Sequence, residues 1–158
     1  MSTVTLYPMT GDELAAFRAV QLDGYIDQRV EFGGEDRDVA TRIATEQHAQ
    51  FFPDDAPADG HHLFTARDAD GTPVGVLWLH RRSERTVWIY DIEIDGAFRG
   101  RGLGRALMLA AHSWAESQGA TAVELNVFGG NTVARGLYTS LGYTENSVHM
   151  TRTLREQP

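Results

Sequence analysis

The sequence predicts an α/β fold of the α+β type, in which helices flank a largely antiparallel sheet. Short segments rich in β-branched and aromatic residues alternate with longer segments whose apolar residues recur at helical spacing. The chain has 158 residues, of which 42% are hydrophobic and 23% are charged, and this composition is typical of a globular domain. We therefore expect one domain over residues 1–158.

Six segments are predicted as strands, because each alternates or is β-branched and is bounded by turn residues. They cover residues 3–7, 62–67, 73–80, 85–95, 122–128 and 143–154. Regular alternation divides the fourth strand into two faces. One face is expected to carry Trp88, Tyr90, Ile92 and Ile94. The opposite face is expected to carry Asp91, Glu93 and Asp95.

Four helices are predicted between these strands from the recurrence of apolar residues every three to four positions. They cover residues 12–32, 38–52, 103–118 and 132–141. Glycines follow the first, third and fourth of these segments, as they do at many helix ends. The expected order of elements is β-α-α-β-β-β-α-β-α-β.

The residues that the chain lacks exclude several chemistries. It contains no cysteine, which excludes disulfides, thiol catalysis and cysteine-ligated metals, and the spacing of its six histidines resembles no metal site. It contains no lysine, which excludes a lysine Schiff base and a Walker-type phosphate loop. It has neither a run of about 20 apolar residues nor a signal-like N-terminus, so we expect a cytoplasmic protein without membrane association.

The formal net charge of −8 is concentrated in one part of the chain. Residues 12–59 carry 12 acidic and 4 basic side chains, whereas the remainder carries 10 of each kind. Two interpretations remain open, namely a solvated helical surface or an acidic wall that attracts a cationic substrate. The acidic balance argues against nucleic-acid binding.

The most informative segment is residues 99–104, Arg-Gly-Arg-Gly-Leu-Gly, which lies between a predicted strand and a predicted helix. Glycines allow the backbone to approach a phosphate closely, and the first amides of a helix are unpaired and carry partial positive charge. This context predicts a pyrophosphate site. A tight turn with solvated arginines and an Arg-Gly nucleic-acid tail are the alternatives, and the strand–glycine–helix order favours neither.

In two blocks the sequence resembles the GNAT superfamily of acyl-CoA-dependent N-acetyltransferases. Arg99, Gly102 and Gly104 match the family's Arg/Gln-x-x-Gly-x-Gly/Ala pattern. The segment 131–143 is similar to its Asn-x-x-Ala-x-x-Leu-Tyr helix with a following Gly-Phe/Tyr. The likeness is strong over residues 87–154, whereas the N-terminal third matches only in its strand–helix–helix order.

The resemblance implies a GNAT-like, mixed and mostly antiparallel sheet of about six to seven strands with about four helices. It assigns residues 1–60 to a variable substrate-side region and 61–154 to the sheet and cofactor-binding core. Acetyl-CoA is the implied co-substrate, with no metal. The implied cofactor-binding residues are Ile92, Ile94, Arg99, Gly100, Arg101, Gly102, Leu103, Gly104, Arg105 and Asn131.

The family transfers the acyl group directly to an amine in one ternary complex. The resemblance makes Tyr138 the general acid for the thiolate, and a phenol is protonated at neutral pH; packing in the core is the alternative. A backbone N–H near Ile94 is the implied oxyanion donor. Glu93 is the candidate general base, with Asp91 or a water as alternatives, and Asp91 could instead anchor a cationic substrate.

The acceptor is a small-molecule or peptide amine whose identity the sequence leaves open, and Tyr25 and Phe32 are candidates for lining its pocket. A homodimer is implied by the resemblance alone. A non-catalytic acyl-CoA-binding module is the alternative to an enzyme. Tyr138 and Glu93 favour the enzyme, because binding alone needs neither.

Overall fold

A computed structural model describes residues 2–155, which form five strands and four α-helices. The strands are β1 (Thr5–Pro8), β2 (His61–Arg67), β3 (Pro73–Arg81), β4 (Thr86–Ile94) and β5 (Ala122–Leu125). The helices are α1 (Gly11–Glu31), α2 (Arg37–Phe51), α3 (Leu103–Ser117) and α4 (Thr132–Ser140). All four predicted helices are confirmed to within one residue at each end. None of the helices in this part of the chain has the length and apolar character of a membrane span.

The five strands form one sheet in the order β1-β2-β3-β4-β5. The first four strands pair antiparallel, and β5 pairs parallel to β4. One face of the sheet packs on α3 through a core that includes Leu77, Leu79 and Leu107. The other face packs on α1 and the end of α2 around Trp78 and Phe17. The predicted class is therefore confirmed.

The expected sixth strand is wrong. Residues 143–154 contain no strand, so within residues 2–155 the sheet has five strands and not six to seven. The alternating apolar residues on which that prediction depended remain exposed, with Val148, Met150 and Leu154 at 65%, 87% and 84% exposure. Alternation favours a strand only where a neighbouring surface buries one face, and these side chains have none.

The first helix is tied to the sheet through its N-terminal cap. The backbone N–H of Thr10 donates to Glu13 and the N–H of Glu13 donates to the Thr10 hydroxyl, which is a capping box. The Thr65 hydroxyl of β2 donates to the second Glu13 oxygen at 2.8 Å. These hydrogen bonds, first those from Thr10 and Thr65, lower the pKa of Glu13. The cap therefore sets where α1 starts on the sheet.

A β-bulge divides β4 into two halves that face opposite ways. Trp78 pairs with Asp91, whereas the next residue of β3, Leu79, pairs with Ile89, so Tyr90 is the extra residue. Ile89 and Ile92 therefore both pack on the α3 face, while Tyr90 packs with Trp78 on the α1 face. The predicted single face carrying Trp88, Tyr90, Ile92 and Ile94 is wrong, because the bulge reverses the alternation at its midpoint.

Paired histidines complete the core under α1 and α2. The rings of His61 and His80 stack with centroids 4.0 Å apart and an angle of 3°, and Trp78 Nε1 donates to His61 Nδ1 at 3.0 Å. Burial, then the neighbouring His80 and His62, lower the pKa of His61 to about 4. Burial also lowers the pKa of His80. The pair is therefore neutral near pH 7 and stacks without charge repulsion.

We predict that His61→Asn removes part of the acid sensitivity of the fold. Because the pKa of His61 is lowered, protonation favours the unfolded chain, and His61 costs stability as the pH falls from 6.5 toward 4. The shift corresponds to at most roughly 3 kcal/mol. Urea unfolding of both proteins from pH 7.5 to 4 should show the variant losing less stability. The exposed His149→Asn is the control, and parallel curves for His61→Asn would contradict the prediction.

Candidate active site

A groove opens where β4 and β5 part. The parallel pairs run from Thr86 with Ala122 to Ile89 with Leu125, and within residues 2–155 none follows. The main chain of β4 beyond Ile89 therefore has no strand partner on that side. The resulting groove of about 380 Å³ is lined by Ile92, Glu93 and Ile94 of β4, by Asn131 and Tyr138 near and on α4, and by Arg99.

The glycine-rich segment forms the end of this groove and the start of α3. Gly100 and Gly102 both adopt a φ of +76°, a left-handed conformation that favours glycine. Gly102 is the cap of α3 and supplies no side-chain acceptor to the first helical amides. Within residues 2–155 the backbone N–H groups of residues 100–105 donate no backbone hydrogen bond. They are therefore available to an anion, as the composition predicts.

The arginines of this segment lie folded on the protein. Arg99 Nε donates to the Ile94 carbonyl at 3.0 Å, and Arg105 donates to the Ser140 hydroxyl at 2.6 Å. Arg101 lies outside the groove, over the Phe98 ring, and its carbonyl accepts a hydrogen bond from Ser2. Leu103 packs its side chain in the core at 7% exposure, so it can meet a ligand only through its backbone.

Asn131 joins the groove to α4. Its side-chain oxygen accepts from the Ala134 N–H at 3.3 Å and so caps the helix. Within residues 2–155 its side-chain NH2 group donates no hydrogen bond, and the residue lines the groove. Of the ten predicted cofactor-binding residues, five line the groove. These are Ile92, Ile94, Arg99, Gly104 and Asn131.

Tyr138 projects from α4 into the groove. Burial, and then the charge of Asp91, raise the pKa of its phenol, so it is protonated at neutral pH. Its ring lies 5.8 Å from that of Tyr143, whose hydroxyl is 2.7 Å from His112 Nε2. Burial, then Tyr138, raise the pKa of Tyr143 to about 12. Sequence reasoning missed the link to His112, because the two residues are 31 positions apart and no pattern connects them.

The two carboxylates of β4 differ in environment. Glu93 is exposed and forms an ion pair with Arg99, its Oε1 lying 3.3 Å from Arg99 Nη2. Asp91 is partly buried and forms no ion pair with any residue in 2–155. Burial, and then the charge of Glu93, raise the pKa of Asp91 to about 7. Asp91 is therefore close to half protonated near neutral pH.

The turn that follows α1 packs against the loop between β5 and α4. The rings of Phe32 and Phe128 stack at 6.4 Å, and a Cβ on Gly130 would lie 3.2 Å from the Phe32 ring. Tyr25, predicted to line a pocket, instead accepts a hydrogen bond from Arg29, which also pairs with Glu35. The turn thus packs on the loop that precedes α4.

Each of the four arginines in the acidic third pairs with an acid of the same third. The pairs are Arg18–Asp55, Arg29–Glu35, Arg37–Asp27 and Arg42–Glu46. A fifth acid of this region, Glu13, pairs with Arg67 of β2, and most of the remaining acidic excess has no arginine partner within residues 2–155. Both interpretations of that excess, a solvated surface and a wall for cations, are compatible with this arrangement.

Comparisons with known proteins identify the family. The acetyltransferase (GNAT) family pattern matches residues 28–143. The chain is 27% identical over 155 residues to YycN of Bacillus subtilis (strain 168), an uncharacterized N-acetyltransferase, over 96% of this chain and 99% of that protein. It is 26% identical over 153 residues to YdgE of the same organism, also an uncharacterized N-acetyltransferase, over 95% and 98% of the two chains.

Comparison with solved structures agrees with this family assignment. The crystal structure of YycN matches with a TM-score of 0.90, covering 98% of this chain and 100% of that one. AAC(6')-Iy in complex with the bisubstrate analog CoA-S-monomethyl-acetylneamine matches at 20% identity and a TM-score of 0.59, over 98% and 99% of the chains, which shows a shared fold. The chain belongs to the GNAT family of acetyltransferases and is an enzyme of the acyltransferase class.

We predict that Asp91→Asn stabilises the fold at alkaline pH. Because the pKa of Asp91 is raised to about 7, ionisation favours the unfolded chain, and Asp91 costs stability as the pH rises from about 4 to 7. The shift corresponds to at most roughly 4 kcal/mol. Urea unfolding at pH 5 and pH 8 should show the variant gaining on the wild type at pH 8. The exposed Asp95→Asn should show no such gain, and equal gains would contradict the prediction.

Proposed function

We propose that the protein transfers the acetyl group of acetyl-CoA to a primary amine by direct attack in a ternary complex. The observation that carries this proposal is the unpaired edge of β4, with the glycine-rich turn at one end and Tyr138 facing it. An extended amide-containing chain can pair with such an edge, and a diphosphate can bind the exposed amides beside it. The pantetheine arm and diphosphate of CoA supply both groups in the right order.

In this proposal, the cofactor contacts are mainly made by backbone. The main chain of Ile92 and Ile94 pairs with the pantetheine amides, and the N–H groups of residues 100–105 bind the diphosphate. Arg99, Arg101 and Arg105 can turn outward toward the phosphates, and Asn131 donates its side-chain amide farther along the groove. Of the three, Arg99 already lines the groove.

The chemistry requires three groups. A backbone N–H near Ile94 stabilises the oxyanion of the tetrahedral intermediate, and Tyr138 donates its proton to the departing thiolate. A carboxylate of β4, Glu93 or Asp91, or a water held by one of them, takes a proton from the amine. Tyr138 supports this assignment because its hydroxyl-bearing ring lines the groove and its phenol is protonated.

The proposed acceptor is cationic, because the locally uncompensated acidic third favours approach of a protonated amine. AAC(6')-Iy, with its bound neamine analogue, shares the fold and illustrates an amine acceptor of that kind. The proposed working form is a cytoplasmic homodimer, an expectation that depends on the cysteine-free composition and on the family resemblance.

The direct test is thiol release. Purified protein with acetyl-CoA and pooled primary amines (spermidine, L-lysine amide, neamine and a peptide with a free N-terminus) should produce free CoA faster than protein without amine. Tight binding of acetyl-CoA without turnover of any amine would instead favour a non-catalytic acyl-CoA-binding module. Absence of binding by calorimetry would refute both functions.

We predict that Tyr138→Phe lowers kcat by about 100-fold, the usual contribution of a general acid. The affinity for acetyl-CoA should be nearly unchanged, because only the donor hydroxyl is removed while the ring still fills the groove. Turnover and calorimetry on the same preparation measure the two quantities. Tyr143→Phe is the matched control, since Tyr143 lies beside Tyr138 but outside the groove lining. Unchanged turnover in Tyr138→Phe would show that Tyr138 contributes only by packing.

We predict that Gly102→Val abolishes acetyl-CoA binding while the domain stays folded. A β-branched residue strains a φ of +76°, and its side chain would also stand where the diphosphate approaches the α3 amides. Gly119→Val is the matched control, because Gly119 has a similar φ of +83° at the other end of α3. Circular dichroism and calorimetry report folding and binding. Binding that survives in Gly102→Val would place the diphosphate elsewhere.

A further inference from the structure

We infer that Asp91 is the general base that deprotonates the attacking amine, and that Glu93 instead holds Arg99 at the end of the groove. This inference depends on the proposed function. It follows from the bulge in β4, from the partners of the two carboxylates, and from the position of Asp91 relative to Tyr138.

The bulge places Asp91 where regular pairing would not. Asp91 lies opposite Trp78 and directly after the extra residue, so it shares the α1 face with Tyr90. Its neighbour Ile92 packs on the α3 face and lines the groove. Asp91 is not itself among the residues that line the groove, but it precedes Ile92 and Glu93, which are, and its charge acts on Tyr138. It lies on the face of the sheet that packs on α1, in the acidic N-terminal third.

Glu93 already forms an ion pair with Arg99. Its carboxylate pairs with Arg99, and Arg99 also donates to the Ile94 carbonyl, so Glu93, Arg99 and the end of β4 form one unit. To take a proton from an amine, Glu93 would have to give up its contact with Arg99. The same pair is well placed to orient Arg99 at the edge of the groove, where the proposal puts the cofactor.

Asp91 has the opposite surroundings. The titratable groups that act on it or respond to it are Glu93 of β4 and Tyr138 of α4, and its cross-strand neighbour Trp78 is uncharged. Burial and the Glu93 charge raise the pKa of Asp91 to about 7, which suits a base working near neutral pH. Burial, and then the charge of Asp91, raise the pKa of Tyr138, so the proposed acid is protonated.

The proton balance closes with these two groups. The ammonium of the acceptor gives one proton to the Asp91 carboxylate, and the neutral amine nitrogen forms a bond to the thioester carbon. The carbon–sulfur bond then breaks, and Tyr138 gives its proton to the thiolate of CoA. The second proton, which the nitrogen releases as the amide forms, restores Tyr138 through water, and Asp91 returns its proton to solvent.

The test compares Asp91→Asn with Glu93→Gln across pH 6 to 9, using the fastest amine of the pool described above. We expect Asp91→Asn to lower kcat/KM by about 100-fold or more at pH 7. The kcat/KM deficit should shrink by roughly tenfold for each unit by which the pH is raised, because a larger fraction of the amine is already neutral at higher pH. Glu93→Gln should raise the KM for acetyl-CoA and move the acidic limb of the kcat/KM profile to lower pH, because the Glu93 charge no longer raises the pKa of Asp91; it should show no deficit that shrinks as the pH rises. Asp95→Asn, an exposed carboxylate four positions beyond Asp91, is the control and should match the wild type.

A second readout does not depend on turnover. The ¹³C resonance of the Asp91 carboxylate, assigned by its loss in Asp91→Asn, should titrate near pH 7 in the wild type. Three results would each overturn the inference. The Asp91 carboxylate could titrate near pH 4, the kcat/KM deficit of Asp91→Asn could be independent of pH, or Glu93→Gln could show a kcat/KM deficit that shrinks as the pH rises. In those cases wild-type turnover remains and the proposed function stands. Absence of wild-type turnover with every amine would overturn both.

Discussion

The site depends on the place where β4 and β5 separate. Up to Ile89 the two strands pair, and beyond it the bulge at Tyr90 twists β4 away from its neighbour. A strand edge without a partner must be hydrated or covered, because unpaired backbone groups are costly when buried. Here the exposed edge, the left-handed glycines and α4 surround one groove. A single irregularity in the sheet therefore creates the cleft and orients the carboxylates beside it.

Much of this architecture is readable from sequence where the signal is local. The start of α1, the glycine-rich entry to α3 and the apolar stripe of α3 each depend on a few neighbouring residues, so the pattern alone predicts them. The bulge is different, because it is defined by which residue of β3 faces which residue of β4. Alternation assumes regular pairing, and this assumption placed Tyr90 with Ile92, although it correctly placed Asp91 and Glu93 together on the face opposite Ile92 and Ile94. The salt bridge of Glu93 with Arg99 is likewise visible only in three dimensions.

Two partly buried residues, His61 and Asp91, give the stability of this fold opposite responses to pH. His61 stacks on His80 and accepts a hydrogen bond from Trp78, and its pKa is lowered. Its contribution to the stability of the fold therefore weakens as the pH falls. Asp91 resists ionisation, so its cost grows toward neutral pH. His61 packs within the core beside Trp78, whereas Asp91 lies next to residues that line the groove. Groups that are unfavourable for folding often persist at sites where their chemistry is used.

The bulge at Tyr90 also limits how this strand can change during evolution. Tyr90 is the extra residue, so removing it would restore regular pairing and leave Asp91 opposite Trp78 and Ile92 opposite Leu77. Removing a residue after the bulge, such as Ile92, would instead shift the rest of β4 by one position and exchange the surfaces of Glu93 and Ile94. Glu93 would then point into the apolar layer against α3, and Ile94 would take its place on the other side. A single-residue deletion is therefore better tolerated at the bulge than in the regular part of β4 beyond it.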